Sequence, residues 1–299
     1  MILLAPAKVN LYLRVIRKRP DGYHDIETLF EKIALFDRIT LRPSKKIKVS
    51  SKTRSVPTGK KSLLYRTAAL FLDRFNISKG VEIEIEKRIP VAAGFGGGSS
   101  DAAGVLKGLS RMWPGNFKRN KLMKIASSLG ADIPFFLSGS SFAYASGIGE
   151  KVRPLEVRDK FWHLIISPPK RLLSGDVYAR HDRRMGSPLT KRPSLNTILS
   201  PAVLRRGAPS SGALGYNIME RLLFNDLERA VADISPLVAR IKDFINGLGL
   251  SLTLVSGSGP GIFSLFKKRK EALFAQKALT EGLPFVRKKG WRTFVVSTL

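Results

Sequence analysis

A glycine-rich segment in the first half of the chain carries the clearest chemical signal. Residues 94–101 read GFGGGSSD, and they join a strand-like stretch to a helix-like stretch. Glycines let backbone N–H groups wrap around an anion, and the N-terminus of the following helix adds positive potential at the same point. No Gly-Lys-Ser/Thr follows, and the third glycine of the dinucleotide fingerprint is missing. The segment predicts a phosphate site of another type, and the competing interpretation is a flexible surface turn.

The elements around this segment are predicted from periodicity. Residues 8–16, KVNLYLRVI, alternate as a strand does, with Val9, Leu11, Leu13 and Val15 on one face and Lys8, Asn10, Tyr12 and Arg14 on the other. A turn follows at residues 20–22, and residues 81–89 alternate strictly as a second strand. The spacing then predicts a helix from Ser99 or Ser100 to Trp113, capped by a serine.

The rest of the chain continues the alternation of helices and strands. A helix is predicted over residues 120–129 and ends at Gly130, and ADIPFF after it is interpreted as a loop that enters a buried strand. Residues 183–214 are predicted to be a long irregular connection. Helices are predicted over residues 216–231 and 235–248, and SLTLV, SGSGPG and IFSLF after them predict a strand, a tight glycine loop and a strand.

Composition limits the class of protein. The chain has 299 residues, 43% of them hydrophobic, with glycines and prolines spread throughout, which is typical of a globular protein of one large or two smaller domains. With no cysteine, disulfides, thiolate metal sites and a cysteine nucleophile are excluded. We expect neither a signal peptide nor a membrane span, and therefore a cytoplasmic protein. The sequence does not give an oligomeric state.

The charge is unusual, because 52 Lys and Arg against 23 Asp and Glu give a formal net charge of +29. Such a surplus attracts phosphates, nucleic acids or anionic membranes. It is divided evenly between the two halves of the chain, with no basic tail. Proteins that bind strands or bases usually concentrate charge and interleave aromatic residues. We therefore expect no specific nucleic-acid partner, although a basic nucleic-acid-binding protein stays as an alternative.

Three motifs in order carry a resemblance to a known family. PVAAGFGGGSSD at residues 90–101, PAKVNLYL at residues 6–13 and SGSGPGIF at residues 256–263 resemble the three motifs of the galactokinase, homoserine kinase, mevalonate kinase and phosphomevalonate kinase (GHMP) superfamily. RPDGYHDIETLF at residues 19–30 and LGADIPFFLSG at residues 129–139 resemble, within it, the 4-diphosphocytidyl-2-C-methyl-D-erythritol kinases of the non-mevalonate isoprenoid pathway.

The resemblance implies a fold and a reaction. The fold is α+β with two domains: residues 1–157 form an ATP-binding N-terminal domain similar to a domain of a ribosomal protein, residues 158–299 form a C-terminal α/β sandwich, and the active site lies in the cleft between them. The reaction is the ATP-dependent phosphorylation of the 2-hydroxyl of a small-molecule substrate, 4-diphosphocytidyl-2-C-methyl-D-erythritol. ATP and Mg²⁺ are the implied cofactors.

The resemblance also assigns roles to residues. Asp132 matches the general base and Lys8 its basic partner, which is sensible because the attacking alcohol must lose a proton near an ammonium that offsets charge. Ser100 is the candidate for a metal contact, and Asp132 is the only other residue considered for one. The residues matched to ATP binding are Lys87, Pro90, Val91, Ala92, Ala93, Gly94, Phe95, Gly96, Gly97, Gly98, Ser99 and Ser100. The second glycine loop contributes Gly257, Ser258 and Gly259. The residues matched to substrate binding are Asn10, Tyr23, His24, Phe30, Ser174 and Tyr178.

Three positions depart from the family pattern. Pro260 removes one N–H from the second glycine loop, Ser62 stands in place of an asparagine near the adenine, and Phe95 replaces a leucine. Two alternatives remain within the superfamily: a kinase of homoserine or mevalonate type, and an inactive member retained for interaction. On sequence alone, Asp132 could be an ordinary turn carboxylate and Lys8 a solvated lysine.

Overall fold

A long antiparallel hairpin forms the centre of the molecule. Strand β1 (Ile2–Lys18) pairs with β2 (His24–Ser44) around the predicted turn, where Gly22 has a φ of 86°. The computed structural model describes residues 1–157, 159–184, 194–195, 215–249 and 253–299, and most of the predicted connection at residues 183–214 lies outside them.

Two sheets are built around this hairpin. In the first sheet the order is β3 (Lys48–Ser51), β4 (Gly80–Glu86), β2, β1 and β8 (Phe224–Asn225), and β5 (Phe142–Ser146) joins β2 to β6 (Lys151–Leu155). The second sheet is antiparallel, in the order β11 (Arg292–Ser297), β7 (Trp162–Ser167), β10 (Ile262–Phe266) and β9 (Thr253–Val255).

Helices cover the outer faces of the sheets. Four helices pack on the first sheet: α1 (Leu63–Arg74), α2 (Gly97–Met112), α3 (Arg119–Leu129) and α4 (Ile133–Leu137). The others lie in the second half of the chain: α5 (Ser174–Arg184), α6 (Tyr216–Leu222), α7 (Glu228–Ile234), α8 (Pro236–Gly247) and α9 (Arg269–Gly282). A short 3₁₀ helix spans Pro284–Arg287. No helix within the described ranges is long and apolar enough to cross a membrane.

Three apolar clusters hold these layers together. One lies between the two sheets, where Val9 and Leu11 of β1 meet Phe263 of β10. A second fills the space between the first sheet and α1 to α4, and a third lies between the second sheet and its helices. Burial of this apolar surface is the main force that holds the sheets in place.

The structure corrects four of the local predictions. ADIPFF is not a loop, since residues 133–137 form α4 with Pro134 in its first turn, where proline costs no hydrogen bond. The helix predicted over residues 216–231 is interrupted by β8. The serine cap of α2 is wrong because the helix begins earlier, at Gly97. A bulge after Asn10 brings Tyr12 into the cluster of Val9 and Leu11 instead of beside Lys8.

Candidate active site

Lys8 lies at the centre of the candidate site. Its side chain is buried, and its ammonium lies 3.5 Å from the carboxylate of Asp132 and donates a hydrogen bond to Oδ1 of Asn10. Lys8 and Asn10 share one face of β1, as predicted. Burial lowers the pKa of the Lys8 ammonium, and the attraction of Asp132 opposes that change. The site therefore holds a desolvated cation against a carboxylate.

Asp132 lies where a ligand can reach it. It precedes α4 as the N-cap residue, and its side chain is 31% exposed, whereas that of Lys8 is 5% exposed. A carboxylate that is partly open and adjacent to a buried ammonium can accept a proton from a bound hydroxyl. The sequence predicted this pair through the family motifs, and the structure brings the two side chains together from positions 124 residues apart.

Polar and aromatic neighbours fix Lys8 and Asn10. Asn10 Nδ2 donates to Oγ1 of Thr28 at 2.8 Å, and that hydroxyl donates to the Tyr12 carbonyl at 2.7 Å. The ring of Phe30 is buried, with its centroid 5.1 Å from the Lys8 ammonium. Thr28 was not predicted, because its contact with Asn10 depends on the register of the hairpin.

The glycine loop wraps around the other side of Lys8. Gly94 and Gly96 have φ values of 84° and 66°, and Ala92 adopts a φ of 55°, which is uncommon for a residue with a side chain. A Cβ atom on Gly96 would lie 2.9 Å from Cγ of Lys8, so glycine allows the loop to approach the lysine. The Phe95 carbonyl accepts a hydrogen bond from the backbone N–H of Lys8.

A cavity of about 310 Å³ opens above this loop. Its floor consists of residues 90–99, and Lys87 and Asp101 also line it. The opposite wall comes from residues 55–57 with Leu63 and Leu64, which the sequence did not predict because no motif marks them. Ser62, the residue that replaces the family's asparagine, caps α1 by accepting a hydrogen bond from the Tyr65 N–H. The cavity thus joins an apolar wall to an array of backbone N–H groups.

The second glycine loop is tied to the first. Ser256 Oγ donates to the Gly94 carbonyl at 3.0 Å, and the Gly261 N–H donates to the Ala93 carbonyl at 3.0 Å. A Cβ atom on Gly257 would lie 3.1 Å from Oδ1 of Asn10, so this loop also reaches the Lys8 neighbourhood. Ser258 Oγ lies 2.7 Å from Oγ of Ser174 at the start of α5. The loop therefore closes on the site, as the resemblance implies.

Lys87 is held beneath the glycine loop by two carboxylates. Its ammonium donates to Asp37 and, at 2.7 Å, to Asp101 of α2. Asp37 also accepts hydrogen bonds from the N–H groups of Arg88 and Ile89. Burial raises the pKa of Asp101. The charge of Lys87 opposes this rise, and the charge of Asp37 adds to it. Nothing in the sequence pointed to Asp37, since it is 50 residues from Lys87.

His24 and Tyr178 form a stacked pair at the far side of the site. Their ring centroids are 4.6 Å apart with an interplanar angle of 22°. His24 Nε2 donates to Oδ1 of Asp182 at 2.7 Å, and Lys18 pairs with the other oxygen at 2.9 Å. Burial and the nearby charge of Asp132 raise the pKa of Tyr178. Tyr23, by contrast, is 61% exposed at the adjoining turn.

The chain matches known protein families along most of its length. Residues 62–140 match the family model described as GHMP kinases N terminal domain, and residues 204–284 match GHMP kinases C terminal. A 4-diphosphocytidyl-2-C-methyl-D-erythritol kinase from Desulfotalea psychrophila is 37% identical, over 88% of this chain and 85% of the relative. One from Syntrophotalea carbinolica is 36% identical, over 98% and 97%.

The chain belongs to the 4-diphosphocytidyl-2-C-methyl-D-erythritol kinase family. A solved structure named 4-(cytidine 5'-diphospho)-2C-methyl-D-erythritol kinase is 33% identical, with a TM-score of 0.76, and the match covers 99% of this chain and 98% of the other. A homoserine kinase structure from Cytophaga hutchinsonii, at 19% identity and a TM-score of 0.69, shares the fold. These matches confirm the predicted α+β GHMP kinase fold and favour this kinase over the homoserine, mevalonate and nucleic-acid alternatives.

The donor atoms available to this kinase suit a magnesium ion that also contacts nucleotide phosphates. Within the described ranges there is no group of three His, Cys, Asp or Glu side chains that could hold a metal. Ser100 Oγ and Asp101 Oδ1 at the start of α2 are buried, and neither has a hydrogen-bond partner among the described residues. Magnesium usually takes only one or two protein oxygens and completes its shell with water and phosphate. The buried Ser100 hydroxyl therefore fits such an ion.

Proposed function

We propose that the protein transfers the γ-phosphoryl group of ATP to the 2-hydroxyl of 4-diphosphocytidyl-2-C-methyl-D-erythritol. The products are the 2-phosphate and ADP. The observation that carries the proposal is the Lys8–Asp132 pair, which lies directly against Gly96 of the glycine loop. A proton acceptor, a cation and a phosphate-binding loop then meet at one place, as transfer to an alcohol requires.

The chain's own residues would divide the work as follows. Residues 90–100 and Lys87 bind the phosphates of ATP, with its adenine toward the apolar wall of the cavity. Asp132 accepts the proton of the 2-hydroxyl as the oxygen attacks the γ-phosphorus and the bond from phosphorus to the ADP oxygen breaks. Lys8 keeps positive charge beside the transferring group. Magnesium, held by Ser100, would supply neutralisation of phosphate charge.

The stacked rings suit the cytidine half of the substrate. His24 and Tyr178 present an aromatic surface and hydrogen-bonding edges, and a cytosine ring needs both. Asn10, Phe30, Tyr23 and Ser174 complete the proposed substrate pocket between residues 1–157 and 158–299, which we propose as the two domains. A cytoplasmic location also stays a prediction.

The test is ADP release by the purified protein with Mg·ATP and 4-diphosphocytidyl-2-C-methyl-D-erythritol. We expect turnover with this substrate and none with homoserine or mevalonate. Asp132→Asn should lower kcat by about 10²- to 10⁴-fold, because the amide cannot accept the proton. Asp73→Asn, at an exposed position of α1, serves as the matched control and should keep full activity. Turnover with a control alcohol, or an active Asp132→Asn variant, would contradict the proposal.

A further inference from the structure

Four cationic side chains gather around the last turn of α4, the helix that begins after Asp132. We call them the basic cluster: Lys32, Lys107, Arg111 and Arg119. Lys107 Nζ donates to the Phe136 carbonyl at 2.8 Å, and Arg119 Nη2 donates to the Ser138 carbonyl at 2.8 Å. Lys32 Nζ lies 4.9 Å from the ring centroid of Phe135. Arg111 follows Lys107 by one turn of α2. Side chains from three elements, β2, α2 and α3, thus place positive charge beside the last turn of α4.

No acidic side chain pairs with the basic cluster in the part of the chain that the structure describes. Every Asp and Glu of the chain falls within the ranges that the structure describes. None of them lies within 4.0 Å of a cluster cation there, although fifteen such ion pairs form elsewhere in those ranges. The counter-charge of the basic cluster must therefore come from outside the chain.

Lys32 is the decisive member, because it is 4% exposed and yet unpaired in the described part of the molecule. Its ammonium makes no hydrogen bond and no ion pair there, and meets only the face of Phe135. Burial of a charge without a partner is costly, and natural proteins usually provide one. Burial and the charge of Lys107 together lower the pKa of Lys32 to about 7.

Capping of α4 does not account for the basic cluster. Cations near the C-terminus of a helix stabilise its free carbonyl groups. Lys107 and Arg119 already fill that role at Phe136 and Ser138. A helix of five residues has a small dipole, and one or two cations suffice for it. Lys32 therefore needs another explanation.

We propose that the basic cluster binds a small polyvalent anion of the phosphate class, such as pyrophosphate. Lys32 and Lys107 hold the anion from the inside, and the exposed Arg111 and Arg119 lie at the mouth. Ammonium and guanidinium groups together provide the donors that a phosphate takes. The burial of Lys32 favours a small anion over a macromolecular surface, which would meet only the two arginines. An occupant would touch α2, which carries the glycine loop, and α4, which begins beside Asp132.

Calorimetric titration with pyrophosphate tests this site. The protein is titrated without magnesium and with saturating ADP, which keeps the nucleotide loop occupied. We expect one saturable site, tighter for pyrophosphate than for phosphate or sulfate at the same ionic strength. Lys32→Met with Lys107→Met should weaken binding by roughly a hundredfold, because each of the two lost charge-assisted hydrogen bonds contributes on the order of tenfold. Methionine keeps the length and apolar stem of lysine.

Two further variants make the result decisive. Arg111→Gln with Arg119→Gln changes only exposed positions, so it keeps the fold and should also weaken binding. Lys267→Met with Lys270→Met removes the same charge from an exposed segment far along the chain, and should bind as the unaltered protein does. The proposal is overturned by equal weakening in all three variants, which would show diffuse attraction, or by the lack of saturable binding to the unaltered protein.

Discussion

Gly96 shows how a single backbone conformation can position a reactive side chain. Its φ of 66° lies in the left-handed region, and the place where its Cβ would stand is 2.9 Å from Lys8 Cγ and 3.0 Å from Phe136 Cζ. Gly96→Ala should therefore cost about 1–2 kcal/mol of stability through backbone strain. It should also lower kcat, because Lys8 must move. Thermal denaturation and ADP release measure the two effects.

Gly98, two residues further on, is the matched control for Gly96. It lies inside α2, and a Cβ there would meet none of the described residues within 4 Å. Gly98→Ala should leave stability unchanged or raise it by up to about 1 kcal/mol, because alanine favours a helix. If ATP phosphates occupy the open space above Gly98, the Gly98→Ala variant should have a higher KM for ATP. Equal stability of the Gly96→Ala and Gly98→Ala variants would contradict the argument.

Asp182 should act through the orientation of His24. Although burial opposes it, hydrogen bonds from Lys18 and His24 lower the pKa of Asp182, so the carboxylate stays ionised and accepts from Nε2. This hydrogen bond fixes the orientation of the His24 ring. Asp182→Asn should raise KM for the cytidyl substrate by roughly tenfold, with kcat changed far less.

Asp233→Asn provides the comparison for Asp182→Asn, because Asp233 also pairs with α5, through Arg180 and Arg184. Its KM should stay at the value of the unaltered protein. A loss confined to kcat in the Asp182→Asn variant, or an equal rise of KM in both variants, would show that Asp182 does not work through His24.

At the scale of elements, the Lys87–Asp37–Asp101 group anchors the start of α2. The pKa of Asp101 is raised above its ordinary value of 3.8. Above that pH, Asp101 therefore still holds its proton in the folded state, whereas it has lost the proton in the unfolded state. The stability contributed by protonated Asp101 is complete at acidic pH and is lost on going to alkaline pH. The Asp101→Asn variant lacks this titration. The melting temperature of the variant minus that of the unaltered protein should therefore increase from pH 5 to pH 8.5.

Asp73→Asn is the control for this pH dependence, since Asp73 is an exposed aspartate on α1. Its melting temperature should run parallel to that of the unaltered protein at every pH. Parallel curves for Asp101→Asn as well would mean that Asp101 keeps its ordinary titration in the folded state.

Elements with a strong period were predictable from sequence, and elements set by distant contacts were not. The helix predicted over residues 120–129 is observed at Arg119–Leu129, and Gly130 follows it as predicted. The α4 helix was missed because five residues carry too little periodicity, and its apolar side chains are equally consistent with a buried strand. β8 was missed because two residues become a strand only when β1 lies beside them.

The same division applies to the candidate site. Lys8, Asn10 and the glycine loop could be located because each lies in a short sequence motif that resembles the family's. Asp37 and Asp182 could not, because each reaches its partner across 50 or more residues, and only the folded chain shows that pairing.

At the scale of the whole molecule, the net charge of +29 should act on substrate capture. Both proposed substrates are anions, and a positive surface raises their local concentration in a manner that salt screens. KM for the cytidyl substrate should therefore climb as NaCl is raised from 50 to 500 mM, while kcat changes little. Steady-state kinetics at each salt concentration measure both constants. A KM that does not change with salt would contradict a role of the net charge in substrate capture.

Contacts between the first and second halves of the chain join them into one cooperative folding unit. Phe224 and Asn225 pair with β1, although the sheet they join is otherwise made by the first half of the chain. Thr298 forms a bridge with Ile33 and donates to the buried carboxylate of Glu31. Cleavage after Val157 would therefore yield two interdependent fragments, because it separates β8 and Thr298 from their partners in the first half of the chain. Co-expression of the two fragments should yield a folded, active complex, whereas neither fragment should fold when it is expressed alone.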